Sequence, residues 1–217
     1  MREPGWVRTY RVLFAALTLA AIGYQILAAV DRGNFNAANF FSFFTIQSNL
    51  IGVAVFMIGA LVMPRSSLTW DLVRGGAAMY LTTTFFVYGI LLSGLEGRLQ
   101  TTEPWVNAML HQIFPVVIVA DLLLRPLVHR LDFRRSLVWT IYPLAYLVYT
   151  LVRGPIVDWY PYPFLNPDEA GGYLGIAAYC VGILIGFLLF SALIVWVSNN
   201  IRLLVERVRP SASGAYD

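Results

Sequence analysis

The chain has 217 residues, 59% apolar and 12% charged, with a net charge of +3 and a mean hydropathy of +0.68. A soluble domain carries about 25% charged residues, so this composition excludes an ordinary soluble protein and points to one integral membrane domain over residues 1–217. The basic excess calls for no nucleic-acid partner, because its placement along the chain follows a membrane topology.

Six apolar segments are predicted, at about 12–30, 40–63, 75–95, 105–124, 136–152 and 172–198. Each is about long enough to cross a ~30 Å hydrocarbon core. The expected fold is therefore all-α, a polytopic bundle of six transmembrane helices in the cell membrane. The first segment is too long for a signal-peptide core and has no small-residue cleavage pattern after it, so it is expected to remain. All fifteen basic residues are Arg. Arg2, Arg8, Arg11, Arg65, Arg74, Arg125, Arg130, Arg134, Arg135, Arg202, Arg207 and Arg209 fall at one set of segment ends, and Arg32, Arg98 and Arg153 at the other. The positive-inside rule then puts both termini in the cytoplasm. Asp31, Glu96, Glu103, Asp158, Asp168 and Glu169 fall on the outer side.

The second segment opens with residues 39–50, Asn-Phe-Phe-Ser-Phe-Phe-Thr-Ile-Gln-Ser-Asn-Leu. On a continuous helix Ser42, Thr45 and Asn49 share one face. Polar groups in hydrocarbon need partners, so this face should look into the bundle. The third segment carries Thr82, Thr83 and Thr84, and the first carries Gln25; these residue types commonly bond between helices.

The fourth segment holds His111 among Met109, Leu110, Ile113 and Phe114. An ionisable group inside a transmembrane helix marks a functional site, or it is a neutral His bonded to a neighbour for packing. Thr45 and His111 lie at similar distances from the outer ends of their segments, roughly 8–10 Å at ~1.5 Å per residue. A hydroxyl and an imidazole at one depth supply a nucleophile and a base, the minimum for acyl transfer. Asn107 and Asn49 could orient the imidazole or donate to an oxyanion. Asp121 lies about 15 Å deeper than His111, too far for a direct triad, and is expected to pair with Arg125 at i+4. His129 sits in a basic loop and reads as solvated.

The fifth segment presents Tyr142, Tyr146, Tyr149 and Arg153 on one face. This stripe reads either as packing with a snorkelling Arg153, or as a site in which Tyr149 and Arg153 meet a substrate carboxylate. The loop that follows, residues 153–164, has three prolines with Trp159, Tyr160, Tyr162 and Phe164. It reads as a stiff interfacial belt or as a lid over an outward-facing site.

Several classes fail on residue count. A bis-histidine haem needs two facing histidines, and a zinc protease needs a His/Glu cluster. The single Cys180 permits neither an intrachain disulfide nor a cysteine metal cluster. Ser93 lacks the flanking glycines of an intramembrane serine protease, and Asp121 alone is too few buried carboxylates for an ion pump. No metal and no cofactor is called for.

The stretches Phe43-Phe-Thr45-Ile-Gln-Ser-Asn-Leu50, Leu110-His111-Gln-Ile-Phe-Pro115 with Asp121 following, and Tyr160-Pro-Tyr-Pro-Phe164 together resemble a prokaryotic family of small six-helix membrane proteins. That family is distantly similar to the androgen-induced and androgen-dependent membrane proteins of animals. Those are multipass threonine hydrolases that cleave fatty acid esters of hydroxy fatty acids. The resemblance covers most of the chain in topology and these short motifs in detail. It implies an intramembrane catalytic pair at Thr45 and His111, and a membrane lipid or lipid-like substrate. The other reading is a non-enzymatic protein that binds or moves a lipid or small amphiphile.

Overall fold

The computed structural model describes residues 4–62, 64, 66–95 and 103–208, with side chains to residue 201. Arg2, Met63, Arg65, Glu96, Arg98 and Arg209 lie outside the described residues, as do the side chains of Arg202 and Arg207. All regular structure among the described residues is helical. The long helices are α1 (Gly5–Asp31), α2 (Phe44–Val62), α3 (Leu68–Leu92), α4 (Pro104–Leu124), α5 (Ile141–Val157) and α6 (Gly172–Val208). Helices α1 to α4 and α6 are long and apolar enough to cross a membrane. A short helix, Phe133–Ser136, and a 3₁₀ turn, Leu137–Thr140, lead directly into α5.

Helix α1 packs on α2, α2 on α3, and α3 on both α4 and α6. The core between them is made by Phe56, Leu81, Leu110 and Phe114, each at most 1% exposed. Gly52 sets how closely α2 approaches, because a Cβ there would stand 2.8 Å from both Leu81 and Phe114. Helix α5 meets this core through long aromatic side chains, with Tyr142 and Tyr146 both packed on Phe44.

Helices α1 and α3 each begin seven residues before the ends expected from hydropathy, at Gly5 and Leu68. The expected ends stopped at charged residues, Arg11 and Arg74. The helices run through these residues because their charges are matched inside the bundle. Arg11 bonds Asp121 through Nε at 2.7 Å and Nη2 at 3.1 Å, and Arg74 Nη2 bonds it at 2.9 Å. The Tyr10 hydroxyl donates to the same carboxylate. The expectation named Arg125, one turn on; the partners are Arg11, Arg74 and Tyr10 from two other helices. His129 is also less solvated than expected: its Nδ1 lies 2.8 Å from Asp71, and its backbone N–H donates to that carboxylate at 2.7 Å.

Within α4 the turn Met109–Ile113 is widened to a π turn. Pro115 explains it. Proline has no N–H, and its ring crowds the carbonyl four residues back, so the preceding turn opens. Phe114 then bonds back to the carbonyl of Met109, five residues away. The Leu110 carbonyl, whose matching donor would be Pro115, takes the Asn49 side-chain amide instead, at 3.0 Å.

The cluster at Asp121 makes a stability prediction. Asp121→Asn leaves two buried guanidiniums without their anion. The variant should lose ~3–5 kcal/mol of stability, read as a lower melting temperature in detergent, whatever happens to the opposite end of the bundle.

Candidate functional site

The continuous second helix expected from the sequence does not form. Residues 41–43 break it, separating a short helix, Ala37–Phe40, from α2. Ser42 therefore lies in the break and does not share a helical face with Thr45 and Asn49. Thr45 stands in the first turn of α2, not five residues inside it.

A break inside hydrocarbon frees backbone groups that must be satisfied. Three side chains do this. Gln47 Nε2 donates to the Phe41 carbonyl at 2.7 Å, and Tyr146 donates to the Ser42 carbonyl at 3.0 Å. The Tyr162 hydroxyl accepts from the Thr45 N–H at 3.2 Å. Tyr142 in turn donates to Gln47 Oε1, and Tyr149 pairs with Ser42 Oγ at 2.8 Å. The tyrosine stripe of α5 thus serves the break.

Thr45 Oγ1 lies 3.3 Å from His111 Nε2. The other ring nitrogen, Nδ1, lies 3.2 Å from the Asn107 carbonyl. A carbonyl only accepts, so Nδ1 carries the proton and Nε2 turns its lone pair to the Thr45 hydroxyl. That is the tautomer a general base needs. Tyr88, from the π turn Tyr88–Leu92 that ends α3, stacks on the imidazole with centroids 4.2 Å apart. Thr45 is 7% exposed and His111 2%.

Two spaces meet at Thr45. One, with room for about a single water molecule, is lined by Gln25, Phe43, Ile46, Leu110 and His111. The other, of about 770 Å³ with its mouth included, lies between α3, α5 and α6. Its walls are mostly apolar, among them Leu144, Leu147, Ile183, Leu184 and Phe187, with Cys180 beside them. Thr45 and Tyr162 line both.

The other sequence candidates hold structural posts. Asn49 donates to the Thr45 and Leu110 carbonyls, at 2.8 and 3.0 Å, and so ties α2 to α4 below the pair. Asn107 orients the imidazole through its backbone carbonyl, while its side-chain amide donates to the Tyr88 hydroxyl. Arg153 reaches the Asn39 side chain and lies over the Trp159 ring, 5.3 Å from its centroid. Neither Arg153 nor Tyr149 lines either space. Of the threonines, Thr84 bonds Ser48 between helices at 3.0 Å. Among the described residues, no three His, Cys, Asp or Glu side chains are grouped to hold a metal ion.

Sequence reasoning gave Tyr88 and Tyr162 no role at the pair. No periodicity marks Tyr88, but the Tyr-Pro-Tyr-Pro-Phe loop was a visible signal for Tyr162. In the structure Tyr162, Phe164 and Leu165 of that loop are buried. Burial holds the Tyr162 phenol above its ordinary pKa, outweighing the hydrogen bonds that pull it down, so it stays protonated at neutral pH.

No family model, no curated protein and no solved structure matches the chain.

Tyr146→Phe removes the donor from the buried Ser42 carbonyl and leaves the ring packing in place. It should cost about 1–3 kcal/mol in stability, measured by thermal unfolding in detergent.

Proposed function

We propose that the chain is a six-span membrane protein with both termini cytoplasmic, and that it is an intramembrane hydrolase of lipid esters. The sixth span would be α5 with the turns before it. That helical run, 133–157, is long enough at ~1.5 Å per residue for a ~30 Å core. Arg8, Arg125, Arg130, Arg134 and Arg135 remain at the proposed cytoplasmic end, with Arg32 and Arg153 at the other; Arg11 and Arg74 are withdrawn into the Asp121 cluster.

The observation that carries the chemical reading is the Thr45–His111 contact with its fixed tautomer. Thr45 acts as nucleophile and His111 as base. Oγ1 bonds to the acyl carbon as its proton passes to Nε2. The alcohol leaves with that proton; water, deprotonated by His111, then attacks the acyl carbon, and the acid departs as Nε2 returns the proton to Thr45 Oγ1. The chamber between α5 and α6 suits an acyl chain. The smaller space beside His111 has room for no more than a water-sized group, which suits the water that releases the acid. Fatty acid esters of hydroxy fatty acids, or similar lipid esters, are the substrate class suggested by the sequence resemblance. A second reading, a lipid-binding protein without catalysis, is favoured by how much of the cavity wall is apolar.

The deciding experiment incubates the purified protein in detergent with a fluorophosphonate probe and with a branched fatty acyl ester. Wild type should be labelled and should turn over the ester. Thr45→Ala should lose both, and His111→Ala should lose ~10²–10⁴-fold in rate while keeping its melting temperature. A wild type that is neither labelled nor active on a broad ester panel overturns the hydrolase in favour of lipid binding.

The chamber makes a separate prediction. Ile183→Trp should cut activity on long-chain esters by roughly tenfold or more and spare short-chain ones. Equal losses at every length would place the acyl chain elsewhere.

A further inference from the structure

We infer that Tyr162 is a catalytic residue: its phenol, delivered by the loop between α5 and α6, donates to the substrate's carbonyl oxygen as that oxygen becomes an oxyanion. This rests on the hydrolase reading above.

The hydroxyl of Tyr162 lies 3.4 Å from Thr45 Oγ1 and 3.2 Å from the Thr45 backbone nitrogen. It therefore adjoins both the attacking atom and a backbone N–H at the start of a helix. Such an N–H is free of the helix's own ladder and is directed at developing negative charge. In the substrate-free protein the phenol oxygen accepts this N–H, and so stands where a carbonyl oxygen would receive it. A carbonyl entering beside Thr45 takes over the bond. The displaced hydroxyl then turns its own proton to the same oxygen. As Oγ1 bonds to the carbonyl carbon and its proton goes to His111 Nε2, the C=O electron pair moves onto that oxygen. The Thr45 N–H and the Tyr162 O–H share the charge. Collapse returns the pair to the carbonyl and expels the alkoxide, which takes the proton from Nε2.

Two further observations fit this role. The Tyr162 ring is held from both sides, stacked on Phe164 at 4° and edge-on to Phe43, so the hydroxyl is aimed before substrate arrives. Tyr162 also stands with Thr45 at the wall between the two spaces, which is where the reacting carbonyl must sit if the acyl chain lies on one side and the hydrolytic water enters from the other.

The test is Tyr162→Phe in the full-length protein in detergent, which removes one oxygen and keeps the ring packing. On an ester that the wild type cleaves, kcat should fall about a hundredfold, the scale of one lost oxyanion donor, with KM held; the melting temperature should drop as for Tyr146→Phe, because the Thr45 N–H loses its acceptor. Binding of a trifluoromethyl ketone lipid, which forms a tetrahedral oxyanion adduct on a nucleophile, should weaken by the same factor as kcat/KM. Binding of the ether analogue, which has no carbonyl, should not change. Wild-type kcat in Tyr162→Phe overturns the inference and leaves the hydrolase standing. Equal weakening of ketone and ether also overturns it, by making Tyr162 a packing residue. If the wild type cleaves no ester and binds no ketone adduct, the hydrolase itself fails and this inference falls with it.

Discussion

Hydrocarbon offers no hydrogen bonds, so a helix that breaks inside it must find partners for every backbone group the break exposes. The rest of the site depends on how residues 41–43 meet that requirement. Three of the freed groups receive side chains: Gln47 for the Phe41 carbonyl, Tyr146 for the Ser42 carbonyl, Tyr162 for the Thr45 N–H. Meeting this requirement draws α5 and the loop after it against α2. It also leaves Thr45 at a helix start, where its hydroxyl is not enclosed by a preceding turn. The same constraint shapes α4. Pro115 withdraws a donor, the turn before it widens, and Asn49 crosses from α2 to supply what is missing. The two irregular places are therefore bonded to each other, and Thr45 and His111 are carried to their contact by that linkage.

The bundle divides its polar groups between two ends with different tasks. At one end Asp121, Arg11, Arg74 and Tyr10 form a dense buried cluster. Every charge there has an opposite neighbour, and no space adjoins it in either cavity around Thr45. Its job is to fix where α1, α3 and α4 meet. At the other end, Thr45, His111, Tyr88 and Tyr162 make fewer and longer bonds around open space. A base that must exchange a proton cannot sit in a saturated salt bridge, whereas a clasp between helices gains from saturation.

The structure shows how a histidine inside an apolar helix is given direction. The backbone carbonyl of Asn107, four residues earlier on the same helix, holds Nδ1 of His111. A carbonyl cannot donate, so it sets the tautomer as firmly as a carboxylate would, without bringing a charge into the membrane. Stacking on Tyr88 then fixes the plane of the ring.

Apolar runs about as long as a bilayer is thick made the helical, membrane-spanning character legible from the sequence alone, because a helix satisfies its own backbone in hydrocarbon and a barrel strand would be far shorter and alternate in polarity. Polar residues within those runs, Thr45, Asn49, Asn107 and His111, were legible as inward-facing for the same reason. What the linear pattern could not supply was irregularity. Hydropathy averages over windows and passes straight through Phe41–Phe43, so Ser42 was placed on a face it does not occupy. It stopped at Arg11 and Arg74 because a window counts a charge without seeing its partner. Periodicity grouped Tyr142, Tyr146 and Tyr149 correctly but not their bonds to freed carbonyls and to Gln47 and Ser42, since those acceptors lie about a hundred positions away. The residue types that can do chemistry were determined by the sequence. Which of their atoms face each other was decided only by the tertiary structure, through unpaired backbone groups whose partners lie on other helices.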